Sequence, residues 1–579
     1  MRVKFFYVML LSQLIVACAV APENKAKIVN DAGASASIQK KTVVETKDVE
    51  KVKTPLSAEL LFNILAGELA GKKGHIPAAS AFYTRAATIS SDPDLALRAV
   101  QVAIFNKDVA GATSMVNLLL EKGQVNAQIH QLALTVYLAV GDVDKSIKQA
   151  NAFVAASDIP LRNTLLAVGD MISRSSNKQV AYHVIDGLLT SYVTESAVYL
   201  SRSQIGLRFD EKAQAEQDAK KALELAPDWS APYLQLARVY EKVGDIESGL
   251  SVLKGADERF SDHRVSMKYG QLLAHNKEYA KAEQQFIAIL EADKSHNEAH
   301  FSLALVLLKQ EKLAAAKARF LTLRELGGFP SESAFYLGRI DYGDGKLESA
   351  ITWFKEVGQG RIYIDAQANI AMIKSKLGDL PGARRVAASL RQQFPNKAAQ
   401  FYVLEGEFLA NENQYPELFE LMTEAVSKSP DNLTLRYTRS IAAAELDKID
   451  VVESDLNKVL EKDPDNVNAL NALGYTLASK TFRFDEARGY LKKALSFRPD
   501  DSAILDSMGW LNYRSGRYEE ALVLLEKAYS QQPEAEIAAH LGETLWVLGR
   551  QKEAKEIWQE AVKKFPEDRK LLEALKRIQ

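Results

Sequence analysis

Apolar residues recur every three or four positions from Leu56 onwards, with polar and charged residues between them. In DSMGWLNYRSGRYEEALVLLEKAYSQQP, residues 506–533, this spacing predicts two amphipathic helices joined by a turn. The closing proline predicts the end of the second helix, because proline stops a helix. No segment alternates apolar and polar residues as a β-sheet would. The pattern therefore predicts an all-α fold.

The helix pair repeats along the chain with a period of about 34 residues. Prolines recur at nearly this interval and end successive pairs, at Pro395, Pro430, Pro464, Pro499, Pro533 and Pro566. Gly270, Gly338, Gly406 and Gly474 follow one another at twice this period. A helix–turn–helix unit of this length, with small residues at these offsets, resembles the tetratricopeptide repeat, or TPR.

The small residues of each unit have a packing role. In the unit at residues 506–533, Gly509 lets the first helix, helix A, approach the second, helix B, and Ala521 does the same from helix B. Large apolar residues such as Leu511, Leu522 and Leu525 fill the space between hairpins. Because one hairpin cannot bury its apolar face alone, neighbouring hairpins stack into a continuous core.

Extending the period towards the N-terminus predicts about fifteen hairpins. We therefore expect a TPR superhelix (an α-solenoid) over residues 56–566, followed by a charged C-terminal capping helix at 567–579. Residues 106–156 and 163–191 match the repeat poorly, and we interpret them as TPR-like hairpins. An array of this kind offers a long concave surface lined by the A helices.

The N-terminus has a different pattern. Arg2 and Lys4 precede a short apolar run, which predicts a secretory signal peptide over residues 1–17. The run is shorter than the roughly 20 residues that a membrane-spanning helix needs. The tetrapeptide IVAC, which ends at Cys18, resembles the lipobox of bacterial lipoproteins and implies cleavage before Cys18 and its acylation. Two alternatives are an ordinary signal peptide with an incidental cysteine and an uncleaved anchor.

The residues after the cysteine predict a tether. Ala19 resembles the sorting residue of outer-membrane lipoproteins, which implies a lipid-anchored, periplasm-facing protein at the outer membrane. Residues 18–55 contain no aromatic side chain and many polar ones. Such a segment cannot bury enough apolar surface to offset its ordering entropy, so we predict a lipidated N-terminus and a disordered tether.

Composition limits the possible chemistry. Hydrophobic residues make up 47% and charged residues 26% of the chain, as in an ordinary globular protein. A net charge of −2 argues against a nucleic-acid partner, which requires a strongly basic face. Cys18 is the single cysteine, so once acylated it leaves no disulfide, thiol nucleophile or cysteine metal site.

Candidate catalytic residues are few. His296 and His300 could share a helix face, but their motif, HNEAH, differs from the HExxH of zinc peptidases and has no third ligand in view. The glycines of GDGK (343–346) and GQGR (358–361) fall where turns between helices are expected, and the chain has no GxxxxGK[ST] loop. Adjacent carboxylates such as those of EE at 519–520 indicate a solvated helix face. We predict no catalytic residues, no metal, no cofactor and no enzymatic activity.

The surface lined by the A helices offers candidate partner-binding residues instead. Aromatic and arginine side chains are over-represented among the residues that anchor protein partners. The predicted groove residues are Asn471, Tyr475, Asp506, Trp510, Tyr513, Arg514, Glu543 and Trp546. An alternative interpretation is that Trp510 and Trp546 pack between neighbouring A helices.

Four segments are more specific than a generic repeat. They are LSAELLFNILAGELAGKKG (56–74), NALGYTLASKTFRFDEARGYLKKAL (471–495), DSAILDSMGWLNYRSGRYEEAL (501–522) and EAEIAAHLGETLWVLGRQKEA (534–554). Together with the lipobox, they resemble the long outer-membrane TPR lipoproteins of proteobacteria, in particular the adaptor of a periplasmic carboxy-terminal processing protease. The resemblance implies a scaffold that binds this serine protease and presents peptidoglycan hydrolases to it, and so regulates cell-wall turnover. The implied partners are periplasmic proteins and, through the lipid, the membrane.

A second hypothesis shares the same repeats and anchor. The chain could serve as a scaffold for polysaccharide export or for assembly of an outer-membrane complex. The identity of the captured partner distinguishes the two hypotheses.

Overall fold

The computed structural model describes residues 56–90, 92–121, 125–566 and 568–576. Within these ranges the chain forms 31 α-helices and a short 3-10 turn at Pro395–Lys397, and no β-strand. The predicted all-α fold is therefore confirmed. The predicted signal peptide, the lipidation site Cys18 and the tether lie outside the described residues.

The described chain divides into two compact units, one that ends at Thr322 and one that begins at Leu323, near the end of α16. The helices up to this boundary are α1 (Ala58–Lys72), α2 (Ile76–Ser90), α3 (Pro93–Phe105), α4 (Val109–Glu121), α5 (Ala127–Val140), α6 (Val143–Ala156), α7 (Leu161–Ser173), α8 (Lys178–Ser191), α9 (Ser196–Arg208), α10 (Lys212–Leu225), α11 (Ser230–Val243), α12 (Ile246–Arg259), α13 (His263–His275), α14 (Tyr279–Ala292), α15 (Asn297–Lys309) and α16 (Leu313–Glu325). The helices of the second unit, here called the C-terminal unit, are α17 (Pro330–Gly343), α18 (Leu347–Lys355), α19 (Tyr363–Lys376), α20 (Leu380–Gln393), α21 (Ala398–Asn411), α22 (Tyr415–Lys428), α23 (Leu433–Glu445), α24 (Ile449–Lys462), α25 (Val467–Lys480), α26 (Phe484–Phe497), α27 (Ser502–Arg514), α28 (Tyr518–Gln531), α29 (Ala535–Val547), α30 (Gln551–Lys564) and α31 (Arg569–Lys576).

The helices form the predicted repeats. In the described residues, α1 to α30 make fifteen hairpins, each an odd-numbered helix A followed by an even-numbered helix B, and α31 follows the last hairpin. This agrees with the predicted TPR solenoid of about fifteen hairpins and a closing helix. None of the helices that the structure describes has both the length and the apolar character that crossing a bilayer requires.

The small residue of helix A is in contact with a large side chain of helix B. A Cβ atom added to Gly509 on α27 would lie 2.7 Å from Cγ of Leu525 and 3.4 Å from the backbone oxygen of Ala521, both on α28. Leu525 is fully buried, and because protein interiors are close-packed, its side chain has little room to move aside. The predicted roles of Gly509 and Ala521 as contact points of the two helices therefore agree with the geometry.

The same contact recurs in other hairpins. A Cβ atom at Gly270 would approach Phe286 to 2.7 Å, and one at Gly338 would approach Phe354 to 2.9 Å. In both pairs the large residue follows the glycine by sixteen positions, as Leu525 follows Gly509. The repeat thus encodes one contact between the two helices of a hairpin, and that contact sets how closely they pack.

The seventh hairpin, α7 with α8, packs differently, and it contains one of the segments that match the repeat poorly. Helix α7 packs mainly against α9, and α8 packs mainly against α6, while α7 and α8 touch each other little. The glycines explain this arrangement. A Cβ atom at Gly169 on α7 would overlap Oγ of Ser201 on α9, and one at Gly187 on α8 would lie 2.5 Å from Cδ1 of Ile147 on α6. The close contacts here join neighbouring hairpins instead of the two helices of one hairpin.

Two buried carboxylates in the C-terminal unit are neutralised by arginines. Asp455 on α24 is 0% exposed, and its oxygens accept hydrogen bonds from Arg436 at 2.7 Å and Arg439 at 2.6 Å, both on α23. Glu405 on α21 is 3% exposed and accepts from Arg391 on α20 at 2.5 Å. A buried charge is tolerated only when it is paired and hydrogen-bonded. These pairs therefore hold α23 on α24 and α20 on α21 in one relative orientation.

A pair of glycine substitutions tests the hairpin contact. Gly509→Ala should lower the free energy of unfolding by about 1–3 kcal/mol, because the new methyl group overlaps a buried leucine. Gly489→Ala should raise it by about 0.5–1 kcal/mol, because a Cβ atom there meets no atom within 4 Å and alanine favours the helix. Urea titration followed by circular dichroism measures both variants. Stabilisation by Gly509→Ala would show that α27 and α28 are not in close contact at this position.

Candidate protein-binding groove

The A helices of the last five hairpins line a cavity of about 630 Å³ within the C-terminal unit, which we call the groove cavity. Its walls come from α21, α23, α25, α27 and α29, with one residue, Val459, from helix B α24, and from the residues just before α25, α27 and α29. The lining residues on the A helices are Val403, Leu433, Thr434, Tyr437, Asn468, Asn471, Tyr475, Ser502, Ala503, Ile504, Asp506, Ser507, Glu536 and Ile537. A pocket of this size and mixed lining is typical of a binding site.

The repeat places equivalent side chains on the same face of successive A helices. Asn471 lies three residues before Gly474, and Asp506 lies three residues before Gly509. Tyr475 directly follows Gly474 in the same way that Trp510 follows Gly509. Residues three and four apart are neighbours on a helix surface, so Asn471 and Tyr475 share one face of α25.

An aromatic and ionisable cluster joins α27 to α29. The ring of Trp510 stacks on that of Tyr513 with centroids 4.8 Å apart, and on that of His540 with centroids 4.0 Å apart. Nδ1 of His540 lies 2.9 Å from Oδ1 of Asp506, and both side chains are buried. The cluster is held by the stacked contacts that aromatic side chains favour.

A second connection spans two hairpins. The hydroxyl of Tyr475 on α25 donates a hydrogen bond to Oε1 of Glu536 on α29 at 2.5 Å. The ring of Tyr475 also lies 6.3 Å from that of His540. Side chains of α25 and α29 therefore meet across α27, which lies between them in the stack, and they bound the groove cavity on one side.

Of the eight predicted groove residues, Asn471, Tyr475 and Asp506 line the groove cavity. Trp510 and Tyr513 belong to the adjoining aromatic cluster, where Trp510 packs against a neighbouring A helix, as the alternative interpretation proposed. A role of any of these residues in partner binding stays a prediction.

The other three predicted residues lie away from the cavity lining. The Arg514 guanidinium donates to the backbone oxygen of Ser479 on α25. Trp546 lies 6.0 Å from Trp558 of its own hairpin, centroid to centroid, and so packs on a helix B. Glu543 is a half-buried residue of α29.

Sequence reasoning missed several cavity residues. Tyr437 lies three residues before Ser440, which is one period before Gly474, so the repeat itself points to it. Asn468 lies three residues before Asn471, on the same helix face. Glu536 in the cavity lining and His540 in the adjoining aromatic cluster had no comparable signal, because their contacts depend on how far α29 is placed from α25 and α27.

Burial alters the acidity of two side chains on this surface. Burial raises the pKa of Tyr437 to about 12, so the phenol stays neutral and can donate a hydrogen bond throughout the physiological range. Glu407, which directly follows Gly406 on α21, is partly buried, and its desolvation raises the pKa of the carboxyl to about 7. Its position in the repeat is that of Tyr475 and Trp510.

The histidines of HNEAH serve the helix that contains them. Nδ1 of His296 accepts a hydrogen bond from the backbone N–H of Ala299 and so caps the N-terminus of α15. His300 is 3% exposed, and its Nε2 lies 2.9 Å from the backbone oxygen of Lys294. Across the described residues, no three histidine, cysteine, aspartate or glutamate side chains are grouped so that they could hold a metal ion.

Comparison with known proteins identifies the class of protein and then its family. Tetratricopeptide repeat models match residues 234–297, 301–360, 467–498 and 513–578. The chain is 31% identical over 514 residues to the TPR repeat-containing protein PA4667 of Pseudomonas aeruginosa, and the alignment covers 87% of this chain and 85% of the relative. The chain therefore belongs to the family of TPR repeat-containing proteins that includes this relative. It is a TPR scaffold for protein–protein interaction.

Solved structures with related helix hairpins are more distant. A tetratricopeptide repeat protein of Parabacteroides merdae is 17% identical with a TM-score of 0.38, over 43% of this chain and 98% of that chain. A chain of the APC/C hetero-tetramer Cut9–Hcn1 is 13% identical with a TM-score of 0.36, over 90% of this chain and 96% of that chain. These values are too low to carry an argument about function.

The raised pKa of Glu407 predicts a pH-dependent stability. At about pH 3.5, below the unfolded pKa of glutamate, the carboxyl is largely protonated in both the folded and unfolded states, so Glu407→Gln and the wild type should melt at similar temperatures. Above pH 7 the wild type carries a desolvated charge that glutamine lacks, so the variant should melt a few degrees higher at pH 8. Thermal unfolding at both pH values tests this, with exposed Glu420→Gln as the control. Equal melting temperatures for Glu407→Gln and the wild type at pH 8 would contradict the desolvation of Glu407.

Proposed function

We propose that the protein is a membrane-anchored periplasmic adaptor that binds a carboxy-terminal processing serine protease and presents peptidoglycan hydrolases to it. In this role it limits the amount of hydrolase and so regulates cell-wall turnover. The adaptor itself performs no reaction. The groove cavity is the observation that carries the proposal, because it gives the scaffold a pocketed surface of mixed polar and apolar lining on which a partner segment can bind.

The proposal combines this surface with the resemblance of the sequence. Repeat arrays bind partners through extended surfaces made by equivalent helices. In the C-terminal unit, equivalent positions of α25 and α27 hold Asn471, Tyr475, Asp506 and Trp510, which are residue types suited to partner contacts. The segments at 56–74, 471–495, 501–522 and 534–554 support the protease-adaptor role in particular, because they resemble that group of lipoproteins.

The N-terminal sequence supports the location. Acylation at Cys18 would attach the chain to the outer membrane, and two or more acyl chains make such attachment stable. The residues up to 55 would then act as a tether between the lipid and the first hairpin. A tethered scaffold raises the effective concentration of two partners that bind to it at once, which is how an adaptor accelerates an encounter.

Substitution of the predicted lipidation site tests the anchor. Cys18→Ser should abolish incorporation of a palmitate analogue and move the protein out of the outer-membrane fraction, because serine offers no thiol for acylation. Helical content measured by circular dichroism should not change. Ser37→Ala in the predicted tether is the control and should stay labelled and membrane-bound. A wild-type protein that sediments with membranes without label would support the uncleaved anchor instead.

Reconstitution tests the adaptor role. The purified protein should co-elute with the carboxy-terminal processing protease of the same organism and should speed degradation of a peptidoglycan endopeptidase by at least about tenfold, through effective concentration. A protease with its catalytic serine replaced should bind equally but degrade nothing. Unchanged degradation, together with capture of a β-barrel or a polysaccharide polymerase from membranes, would favour the second hypothesis.

A further inference from the structure

Asn471 has a buried amide whose oxygen lacks a hydrogen-bond partner. Its side chain is 3% exposed and lines the groove cavity, and the structure provides no donor to its Oδ1. A buried polar atom without a partner costs about 1–3 kcal/mol, and such atoms are uncommon in folded proteins. An occupant of the cavity that donates a hydrogen bond would remove this cost.

The polar groups around Asn471 suit a peptide main chain. A side-chain amide both accepts and donates hydrogen bonds, which are the two functions of a peptide group in an extended strand. Tyr437, on the neighbouring A helix α23, lines the same cavity and adds a neutral phenol that can donate to a carbonyl oxygen. The cavity therefore offers groups that can satisfy both the N–H and the C=O groups of an extended segment.

The charge of the cavity lining is negative. Asp501, Asp506, Glu534 and Glu536 line it, and no lysine or arginine does so among the described residues. The dipoles of α27 and α29 place about half a positive charge at each helix N-terminus, which offsets part of this negative charge. Arg498, outside the lining, comes within 3.7 Å of Asp501. Even with these contributions the lining keeps an excess of negative charge, which favours a cationic occupant.

Apolar side chains share the lining with the carboxylates. Leu433 comes from α23, Val459 from α24, Ile504 from α27 and Ile537 from α29. These surfaces suit an apolar side chain next to the cation, since apolar contact adds affinity that the charges alone do not give.

We propose that the groove cavity binds an extended segment of a partner protein, with the main chain at Asn471 and a lysine or arginine side chain among the carboxylates. The inference deepens the proposed function and rests on it, because the partner is taken to be one that the adaptor holds. The segment would present its basic side chain between apolar neighbours.

Fluorescence anisotropy with defined peptides tests the proposal on the full-length protein. The probes are fluorescein-labelled SGALKLASG and its counterpart SGALELASG, in which glutamate replaces lysine. The lysine peptide should bind at least about tenfold more tightly, and its advantage should shrink as salt screens the carboxylates. Equal affinities for the two peptides would overturn the assignment of a cationic occupant.

Two substitutions in the cavity locate the binding. Asn471→Ala should weaken binding of the lysine peptide at least about tenfold, while its melting temperature stays equal to or above that of the wild type, because an unsatisfied polar group is removed. Glu536→Gln keeps an acceptor for Tyr475 but should reduce the preference for lysine. Glu519→Gln, on the exposed face of α28 outside the cavity, is the matched control. Unchanged binding by Asn471→Ala, with a lower melting temperature, would show that the amide is structural.

Hydrogen exchange on the same samples distinguishes the occupants. If the lysine peptide speeds amide exchange in residues 19–54, the chain's own segment fills the cavity, and the assignment to a partner is overturned. The peptide and protease experiments also distinguish a failure of this inference from a failure of the adaptor role. Capture of the protease by Asn471→Ala at wild-type level would remove this inference and leave the adaptor role intact. Peptide binding without protease capture would contradict the adaptor role and leave the peptide-binding site in place.

Discussion

The close contact between helix A and helix B, seen in hairpins such as α27 with α28, is the constraint on which the rest of the structure depends. At Gly509 the backbone of α27 comes so near to Leu525 that even a methyl group would overlap it. Such a contact lets a short two-helix unit bury one face of each helix, while the remaining apolar surface is covered by the next hairpin. Where the glycines contact other helices, as Gly169 contacts Ser201, the hairpin opens and its helices pack on the neighbouring hairpins.

The same constraint creates the binding surface. Once helix A is packed on helix B and on its neighbours, one of its faces is left over, and the repeat places the same positions of successive A helices along it. In the C-terminal unit this face holds a cavity of mixed lining, in which the amide oxygen of Asn471 lacks a hydrogen-bond partner, and, on α21, the desolvated carboxyl of Glu407. Neither feature stabilises the folded chain. Groups that lower stability in this way are typical of surfaces kept for binding.

The aromatic cluster shows why individual binding residues are hard to assign. The sequence predicts Trp510 as a partner contact, and in the structure its ring stacks on that of His540 of the next A helix at a centroid distance of 4.0 Å. A side chain at a groove position can pack on a neighbour and still leave part of its surface for a partner. Its orientation depends on the spacing of two A helices that belong to successive hairpins, and periodicity in one segment does not report that spacing.

The sequence alone determined the helical fold, the number of hairpins and the positions of the contacts inside them. These features depend on local patterns: helical spacing of apolar residues, and small residues at fixed offsets in helix A and helix B. Only the tertiary structure decided which side chains meet across hairpins. The bond from Tyr475 to Glu536 and the contact of His540 with Asp506 join residues 61 and 34 positions apart. They depend on small rotations between stacked hairpins, which result from the packing of many side chains together and from no single motif.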